Sequence, residues 1–498
     1  MIDAFTLQTF IVSALILFSI ISSKLFFRFG FPILLIFLVF GMLAGSDGPG
    51  GLDFSDYKLA QSVGTFSLIY ILFLGGLESD WEAVSSSLSI SLKLSILGTL
   101  LTALILGVLI NFLFPVLGLL ESLLLGSIVS ATDAASVFNI FKTGSSDLEE
   151  RLKKIIEFES GSNDALGVLL TTIFINLITT DSSSFSGWYF ARFFFLQIFV
   201  GVLMGYSFGL VIVYLMNTVK LGYDGLYLVF ITACVPFVYS VTTIFMGNGF
   251  LAVYIAGMLI GGFKFIHKKS IFRFLNGYVW ILQIGMFLCF GLLVFPSRLA
   301  QIWLPGLGIA LLLIFFARPA AVFISLFGEK MPTKEKLFIS WVGLRGASPI
   351  IMATFPIAAG LAGGDLLFHV VFFVVLVSLL VQGSTVQKMA KLLGILKPDS
   401  ESLYRPRDFD NIEFPGMSLQ EMIVPYNSKI VDKALFEIKL PEESHILLIA
   451  RGEQFLIPSG NTQVKGGDVV WVLAKDEVIS YIGNVFRTGD MTPMVLPD

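Results

Sequence analysis

The 498-residue chain contains little charge, few cysteines and few histidines. Charged residues make up only 14%, where a soluble protein usually has about a quarter, and hydrophobic residues make up 56%. The two cysteines, Cys234 and Cys289, are too few for a disulfide framework, and the three histidines are too scattered to form a metal site. These shortages exclude an ordinary soluble protein and a disulfide-stabilised secreted domain. They leave a membrane protein.

Apolar runs of about 20 residues recur along the first 396 residues and predict roughly thirteen membrane-spanning helices. Residues 7–25 lack a basic segment and a small-residue cleavage site, so we expect a retained first span rather than a signal peptide. If the C-terminus is cytoplasmic, the predicted inner loops carry seventeen Lys and Arg and the outer loops only three. This asymmetry predicts an N-terminus outside and a C-terminal region in the cytoplasm.

The composition changes sharply after Leu396, because residues 397–498 carry ten Lys and Arg and sixteen Asp and Glu. We predict a membrane domain, a linker, a small soluble α/β module and a C-terminal tail, at residues 1–396, 397–415, 416–486 and 487–498. Within the module, apolar runs predict strands at Glu421–Pro425, His445–Arg451, Gln454–Pro458 and Asp468–Ala474, with helices at Ser428–Phe436 and Lys475–Val485. No Gly-x-Gly-x-x-Gly precedes a helix in the sequence, so no fingerprint predicts nucleotide binding.

Carboxylates within the apolar spans are the most informative residues, because a charge in the bilayer is costly and usually faces a partner, water or an ion path. Asp133 lies in a run of small polar residues that interrupts one apolar span. Such an interruption predicts a discontinuous helix whose freed backbone groups need partners. Thr132 offers a hydroxyl and a carbonyl to a cation. Helix packing through small residues is the alternative, but it does not account for Asp133.

The next span contains Glu159, Ser160, Asn163 and Asp164. Ser160 and Asp164 are four residues apart and therefore share a helical face. Alkali cations prefer oxygen ligands, and burial disfavours a bare charge, so one carboxylate here can hold either a proton or a cation. A structural ion pair or a helix end near the surface is the alternative reading of Asp164.

A second polar interruption, Gly343-Leu344-Arg345-Gly346-Ala347-Ser348-Pro349, lies about two hundred residues after the first, as expected for two structural repeats. A buried arginine needs a carboxylate, and Glu159 is our predicted partner for Arg345. Arg318, in another apolar run, either pairs with a carboxylate or extends to the inner surface.

These polar spans and two glycine-containing motifs together resemble the NhaP-type monovalent cation:proton antiporters over about residues 5–395. The matching motifs are Thr132-Asp133, Glu159-Ser160 with Asn163-Asp164, Gly-Leu-Arg345-Gly-Ala, Phe73-Leu-Gly-Gly-Leu-Glu78 and Gly249-Phe-Leu-Ala-Val-Tyr-Ile-Ala-Gly257. The resemblance implies an all-α polytopic membrane protein, with inverted repeats and two crossing broken helices, that forms a homodimer in the bacterial inner membrane.

The same resemblance implies roles for individual residues. Asp164 would exchange protons and bind potassium or sodium, with Ser160 and Thr132 near the ion. Asp133 would support the helix crossing, and Asn163 in place of a second aspartate resembles the electroneutral branch. No cofactor and no nucleic acid partner are expected.

The C-terminal module resembles a TrkA-C (RCK C-terminal) domain over about residues 416–486, in Val431-Asp432-Lys433-Ala434-Leu435 and Pro458 to Val472. Such domains dimerise and bind small regulatory ligands in potassium transport systems, so a nucleotide-type ligand is an open expectation. Potassium/proton exchange is the favoured function, with pH and cell-volume homeostasis as its expected role. Sodium/proton exchange is the alternative, and rubidium is a further candidate ion. A potassium channel is disfavoured because no Thr-Val-Gly-Tyr-Gly filter occurs. An intramembrane aspartyl protease using Asp133 and Asp164 is equally remote, and we expect no enzyme activity.

Overall fold

The computed structural model of the chain divides into two compact units, Met1–Lys397 and Pro398–Asp498. It describes residues 3–27, 33–79, 88–142, 148–179, 187–219, 221–263, 265, 267–396, 417–425, 428–438, 440–441, 444–451, 454–475, 478, 481–483 and 485–486. The predicted linker, residues 397–415, and the predicted tail, residues 487–498, lie outside the described residues.

The first unit is helical, as expected for apolar segments whose backbone groups must hydrogen-bond within the segment when no water is available. Its α-helices span Ala4–Phe27, Ile33–Ala44, Tyr57–Glu78, Leu88–Lys93, Thr99–Leu113, Leu119–Ile128, Ala134–Lys142, Glu150–Thr179, Gly187–Thr218, Asp224–Ile244, Gly249–Gly262, Lys268–Leu292, Pro296–Leu312, Arg318–Ser325, Thr333–Trp341, Ala347–Ala358, Gly364–Ser378 and Ser384–Leu393. Three π-helical turns, Leu94–Gly98, Leu313–Ala317 and Leu379–Gly383, join helices within this described set.

Eight helices in the described part of the chain are long and apolar enough to cross a membrane, and five shorter apolar helices of 10–17 residues accompany them. The prediction of a polytopic helical membrane protein is confirmed. The number of thirteen spans stays a prediction.

Two spans are broken where the sequence predicted interruptions. The first broken span consists of Leu119–Ile128 and Ala134–Lys142, and the second consists of Thr333–Trp341 and Ala347–Ala358. The extended segments between their halves meet, because the Asp133 backbone N–H donates to the Leu344 carbonyl at 2.8 Å. Each broken span follows a helix that contains a π turn. The order of a helix with a π turn followed by a broken span occurs twice, as expected for two structural repeats.

Close helix packing explains the two glycine-containing motifs. A Cβ at Gly76 would overlap the Tyr254 carbonyl, and a Cβ at Gly257 would overlap the Phe73 carbonyl. Only glycine therefore lets helix Tyr57–Glu78 approach helix Gly249–Gly262 so closely, as small residues do in membrane helix pairs.

The C-terminal unit contains a four-stranded antiparallel sheet with strand order β1-β4-β2-β3. The strands are β1 (Met417–Ile423), β2 (Ser444–Arg451), β3 (Gln454–Leu456) and β4 (Val469–Lys475), which confirms the four predicted strands. Arg451 donates to both carboxylate oxygens of the buried Asp468, at 2.9 and 2.8 Å. This contact raises the pKa of Arg451 above its ordinary value.

The predicted helix Ser428–Phe436 is wrong. The segment forms turns and ends in a 3₁₀ turn, Leu435–Glu437. The Asp432 N–H donates to the Val464 carbonyl at 2.7 Å, so tertiary pairing replaces helical hydrogen bonds. Of the other predicted helix, Lys475–Val485, the described residues 478, 481–483 and 485 are helical, whereas Lys475 is the last residue of β4.

Candidate functional site

The helix Glu150–Thr179, here called the carboxylate helix, carries four polar residues at its middle. Glu159, Ser160, Asn163 and Asp164 are all buried, with Asp164 only 7% exposed. Residues 159 and 163 share one line of the helix, and residues 160 and 164 share the neighbouring line. The helix therefore presents two adjacent polar rows to the elements around it.

Ser160 hydrogen-bonds to the backbone on both sides of the break in the first broken span. Its hydroxyl donates to the Thr132 carbonyl at 2.8 Å and accepts the Ala134 N–H at 2.8 Å. A helix break leaves carbonyls and N–H groups without partners, and here one hydroxyl satisfies a group on each side of the break.

Asn163 fixes Thr132 through both of its amide atoms. Its Nδ2 donates to Thr132 Oγ1 at 2.7 Å, and its Oδ1 accepts the Thr132 N–H at 3.2 Å. Because an amide carries no charge, this contact holds Thr132 in place without adding a further charge to the helix.

Asp133 caps the second half of the first broken span. Its carboxylate accepts the Ser136 N–H at 3.2 Å and the Ser136 hydroxyl at 2.6 Å, in the manner of an N-cap. Gly346 of the second broken span lies directly against this carboxylate, where a Cβ would overlap it. The structure thus places Asp133 at the helix crossing.

Asp164 lies between the two broken spans. Ser348 lies beside its carboxylate, and Asp133 and Arg345 are its charged neighbours. Its Oδ1 atom is buried and has no hydrogen-bond partner among the residues that the structure describes. One carboxylate oxygen therefore remains for a proton or a cation.

Glu159 forms an ion pair with Arg318, at 2.6 Å between Glu159 Oε1 and Arg318 Nη2, and each side chain is 2% exposed. The predicted ion pair between Glu159 and Arg345 is therefore corrected. Arg318, which the sequence left as a weaker candidate, is the partner.

Arg345 instead satisfies the backbone of the first break. Its Nη1 donates to the Ser130 and Ala131 carbonyls at 2.5 and 2.7 Å, while its own N–H donates to the Ser378 hydroxyl at 3.1 Å. Carbonyls freed by a helix break in the membrane need donors, and the guanidinium supplies them. Glu159 and Asp164 act on Arg345 through their charges.

Sequence reasoning did not assign Ser348 or the Arg318 ion pair to the site. Ser348 lies in the second interruption, and only its position beside Asp164 distinguishes it from other small residues there. Arg318 had a usable signal, because an arginine in an apolar run usually has a carboxylate partner.

A cavity of about 1620 Å³ lies beside the carboxylate helix and is lined there by Phe158, Ser162 and Leu166. Ser162 is two residues from Asp164, which is roughly 200° around a helix. Asp164 is not among the residues lining the cavity. The two are on different faces of the carboxylate helix. Within the described residues, no cluster of three or more His, Cys, Asp or Glu could hold a metal ion.

The fold and the buried carboxylate define a membrane ion exchanger. A family model described as sodium/hydrogen exchanger, transmembrane, matches residues 12–392, and a TrkA-C domain model matches residues 419–487. The chain belongs to the sodium/hydrogen exchanger family, whose members are antiporters and not enzymes.

Two bacterial relatives cover nearly the whole chain. The K(+)/H(+) antiporter NhaP2 of Shewanella oneidensis is 38% identical over 481 residues, which cover 96% of this chain and 83% of that protein. The K(+)/H(+) antiporter NhaP of Alkalimonas amylolytica is 37% identical over 489 residues, covering 98% of this chain and 84% of that protein. The sodium proton antiporter MjNhaP1 of Methanocaldococcus jannaschii has a similar solved structure. Its TM-score is 0.69 at 21% identity, with 78% of this chain and 99% of that chain covered. This last similarity shows the fold.

Proposed function

We propose that the chain exchanges potassium for protons, one for one, with Asp164 holding either ion in turn by alternating access. The unpartnered Oδ1 of Asp164 carries this proposal, because Ser160 and Asn163 on the same helix are already hydrogen-bonded to the first broken span. A carboxylate kept without a partner in a membrane interior is costly, which favours an exchangeable ligand over a structural role.

Neighbouring oxygens support a cation at Asp164. The Ser160 and Thr132 hydroxyls each make the hydrogen bonds described above and retain an acceptor lone pair. Together with the carboxylate they offer the oxygen ligands that an alkali cation prefers. Ser348 adds a further hydroxyl beside the carboxylate.

The uncharged Asn163 supports electroneutral exchange. One carboxylate that carries either one proton or one monovalent cation moves the same charge in both directions. Transport should therefore be unaffected by membrane potential. Because both ions compete for Asp164, the apparent cation affinity should weaken as the pH falls, while the maximum rate changes less.

The names of the two bacterial relatives favour potassium over sodium. A relative from Methanocaldococcus jannaschii, described as probable Na(+)/H(+) antiporter 2 and 29% identical over 352 residues, supports sodium as the alternative. We further propose a homodimer in the bacterial inner membrane with the N-terminus outside. The C-terminal module would lie in the cytoplasm and bind a small, nucleotide-type regulatory ligand.

Purified protein in proteoliposomes containing a pH-sensitive dye tests the proposal. Pulses of potassium, sodium, rubidium and lithium should each be compared, and potassium should give the largest proton movement. Asp164→Asn should abolish the signal, since an amide carries no exchangeable proton at neutral pH. Asp56→Asn is the matched control, because Asp56 caps helix Tyr57–Glu78 and asparagine caps equally well.

The same experiment separates the rival functions. Cation flux without proton movement would indicate a channel. Cation-coupled proton movement in the Asp164→Asn protein would contradict the assignment of Asp164. Peptide cleavage that disappears in this variant would indicate a protease.

A further inference from the structure

A second set of buried polar groups lies on the helix that begins at Arg318 and at the π turn Leu94–Gly98 that packs against it. Arg318 and Ser325 begin and end helix Arg318–Ser325, and Thr99 follows the π turn Leu94–Gly98. Arg318, Ser325 and Thr99 are at most 4% exposed. Within the described part of the chain, the hydroxyls of Ser325 and Thr99 and the Arg318 Nε and Nη1 atoms have no hydrogen-bond partner in the protein. Buried polar groups are nearly always hydrogen-bonded, so these groups require a partner beyond the described residues.

Gly98 lies beside two of these groups. A Cβ at Gly98 would lie 3.8 Å from Ser325 Oγ and 3.9 Å from Arg318 Nη1, at ordinary contact distances. The missing side chain thus leaves a space bounded by a hydroxyl and a guanidinium. Ser95, one turn earlier in the π turn, has a buried hydroxyl without a protein partner in the described residues and also lines the 1620 Å³ cavity. Insertions of this kind in helices often mark functional positions.

The charges of the ion pair indicate whether an anion or water binds in this space. Glu159 already neutralises Arg318. An anion would add a second negative charge without a counter-charge, which is costly in a buried site. Water can accept from the guanidinium and exchange hydrogen bonds with the hydroxyls, and a polar site with two to four partners is where buried water binds.

We propose that buried water occupies the space between Gly98, Ser325 and Arg318. Through hydrogen bonds to this water, the hydroxyls of Ser325, Thr99 and Ser95 help to hold the Arg318 side chain in place. They are therefore positioning residues. Arg318 in turn lies against Gly343 of the second broken span, where a Cβ would approach Arg318 Nε to 2.8 Å. The water therefore fixes the ion pair and, through it, the backbone of one broken span. This role is independent of which cation Asp164 binds.

A high-resolution crystal structure of the full chain, grown in a lipidic mesophase, tests the water directly. We expect solvent density within hydrogen-bond distance of Arg318 Nη1 and Ser325 Oγ. A dry space would overturn the proposal. So would a peak that gives a bromide anomalous signal after chloride is replaced by bromide, because it would identify an anion.

Variants test the positioning role. Gly98→Ala places a methyl group in the water space without a protein clash, whereas Gly285→Ala, the control, meets no atom within 4 Å. Gly98→Ala should lower the maximum exchange rate roughly threefold to tenfold, the size of one lost hydrogen bond. The apparent potassium affinity should stay unchanged, since the water does not touch Asp164. If Gly98→Ala matches Gly285→Ala in rate and melting temperature, the water has no positioning role.

Substitutions that remove or keep a hydroxyl group provide a second test, which does not depend on Gly98. Thr99→Val keeps the shape and removes the hydroxyl, while Thr99→Ser keeps the hydroxyl. We expect Thr99→Val and Ser325→Ala to reduce the maximum exchange rate. Thr99→Ser should keep the rate of the parent protein. Equal rates for Thr99→Val and Thr99→Ser would contradict the proposal even if Gly98→Ala fails to fold.

Discussion

The buried ion pair allows a double-mutant cycle that separates the two arginines. Glu159 contacts Arg318 at 2.6 Å, whereas Arg345 is hydrogen-bonded to two backbone carbonyls. We choose Glu159→Leu, Arg318→Met and Arg345→Met, alone and in pairs, because apolar replacements of similar volume avoid large cavities. Glu159 should be energetically coupled to Arg318 and nearly independent of Arg345.

The expected magnitudes follow from burial. Removing one partner of a buried ion pair strands the other charge and costs about 3–5 kcal/mol, while replacing both partners by apolar residues is often close to neutral. The Glu159→Leu/Arg318→Met protein should thus be more stable than either single variant. Arg345→Met loses two charge-assisted hydrogen bonds, each worth about 1.5–3 kcal/mol, and its effect should add to that of Glu159→Leu within about 1 kcal/mol.

Apparent melting temperatures of purified protein in one detergent, at one scan rate, provide the measurement, because heat unfolding of large membrane proteins is commonly irreversible. Recovery of the melting temperature in the Glu159→Leu/Arg318→Met protein is the decisive signal. Recovery in the Glu159→Leu/Arg345→Met protein instead would restore the pairing predicted from sequence. A Glu159→Leu protein as stable as the parent would refute the ion pair altogether.

Three further outcomes are expected. Gly346→Ala should cost about 1–3 kcal/mol, because its methyl group would overlap the Asp133 carboxylate; a normal size-exclusion profile and melting temperature would contradict this contact. Ser348→Ala should keep the fold and weaken the apparent potassium affinity roughly threefold to tenfold, because it removes a hydroxyl beside the Asp164 carboxylate; unchanged kinetics would remove Ser348 from the site. Truncation after residue 397 should alter the rate, the pH dependence or the response to ligands without changing which cation is preferred. A folded truncated protein with a different preferred cation would show that the C-terminal module shapes the ion site.

Local patterns were sufficient to predict the two breaks and the strands. A membrane helix must hydrogen-bond its own backbone groups. Polar and glycine-containing interruptions, such as those at Asp133 and Arg345, therefore indicate where the helix is broken. The strands of the C-terminal unit likewise follow from short apolar runs. The helix predicted at Ser428–Phe436 failed because Asp432 pairs with Val464, a partner that no local pattern discloses.

The sequence alone established that carboxylates and arginines lie within the membrane spans, because the apolar runs around them can be read along the chain. A charge in such a run is costly and therefore stands out. Which arginine neutralises Glu159 depends on which helices pack together. Arg345 is not that partner: its Nη1 donates to the carbonyls freed at Ser130 and Ala131. The same packing places Ser348 beside Asp164 and leaves Asp164 Oδ1 without a partner among the described residues. Only the tertiary arrangement of the two broken spans around the carboxylate helix decides these contacts, because each joins residues from distant parts of the chain.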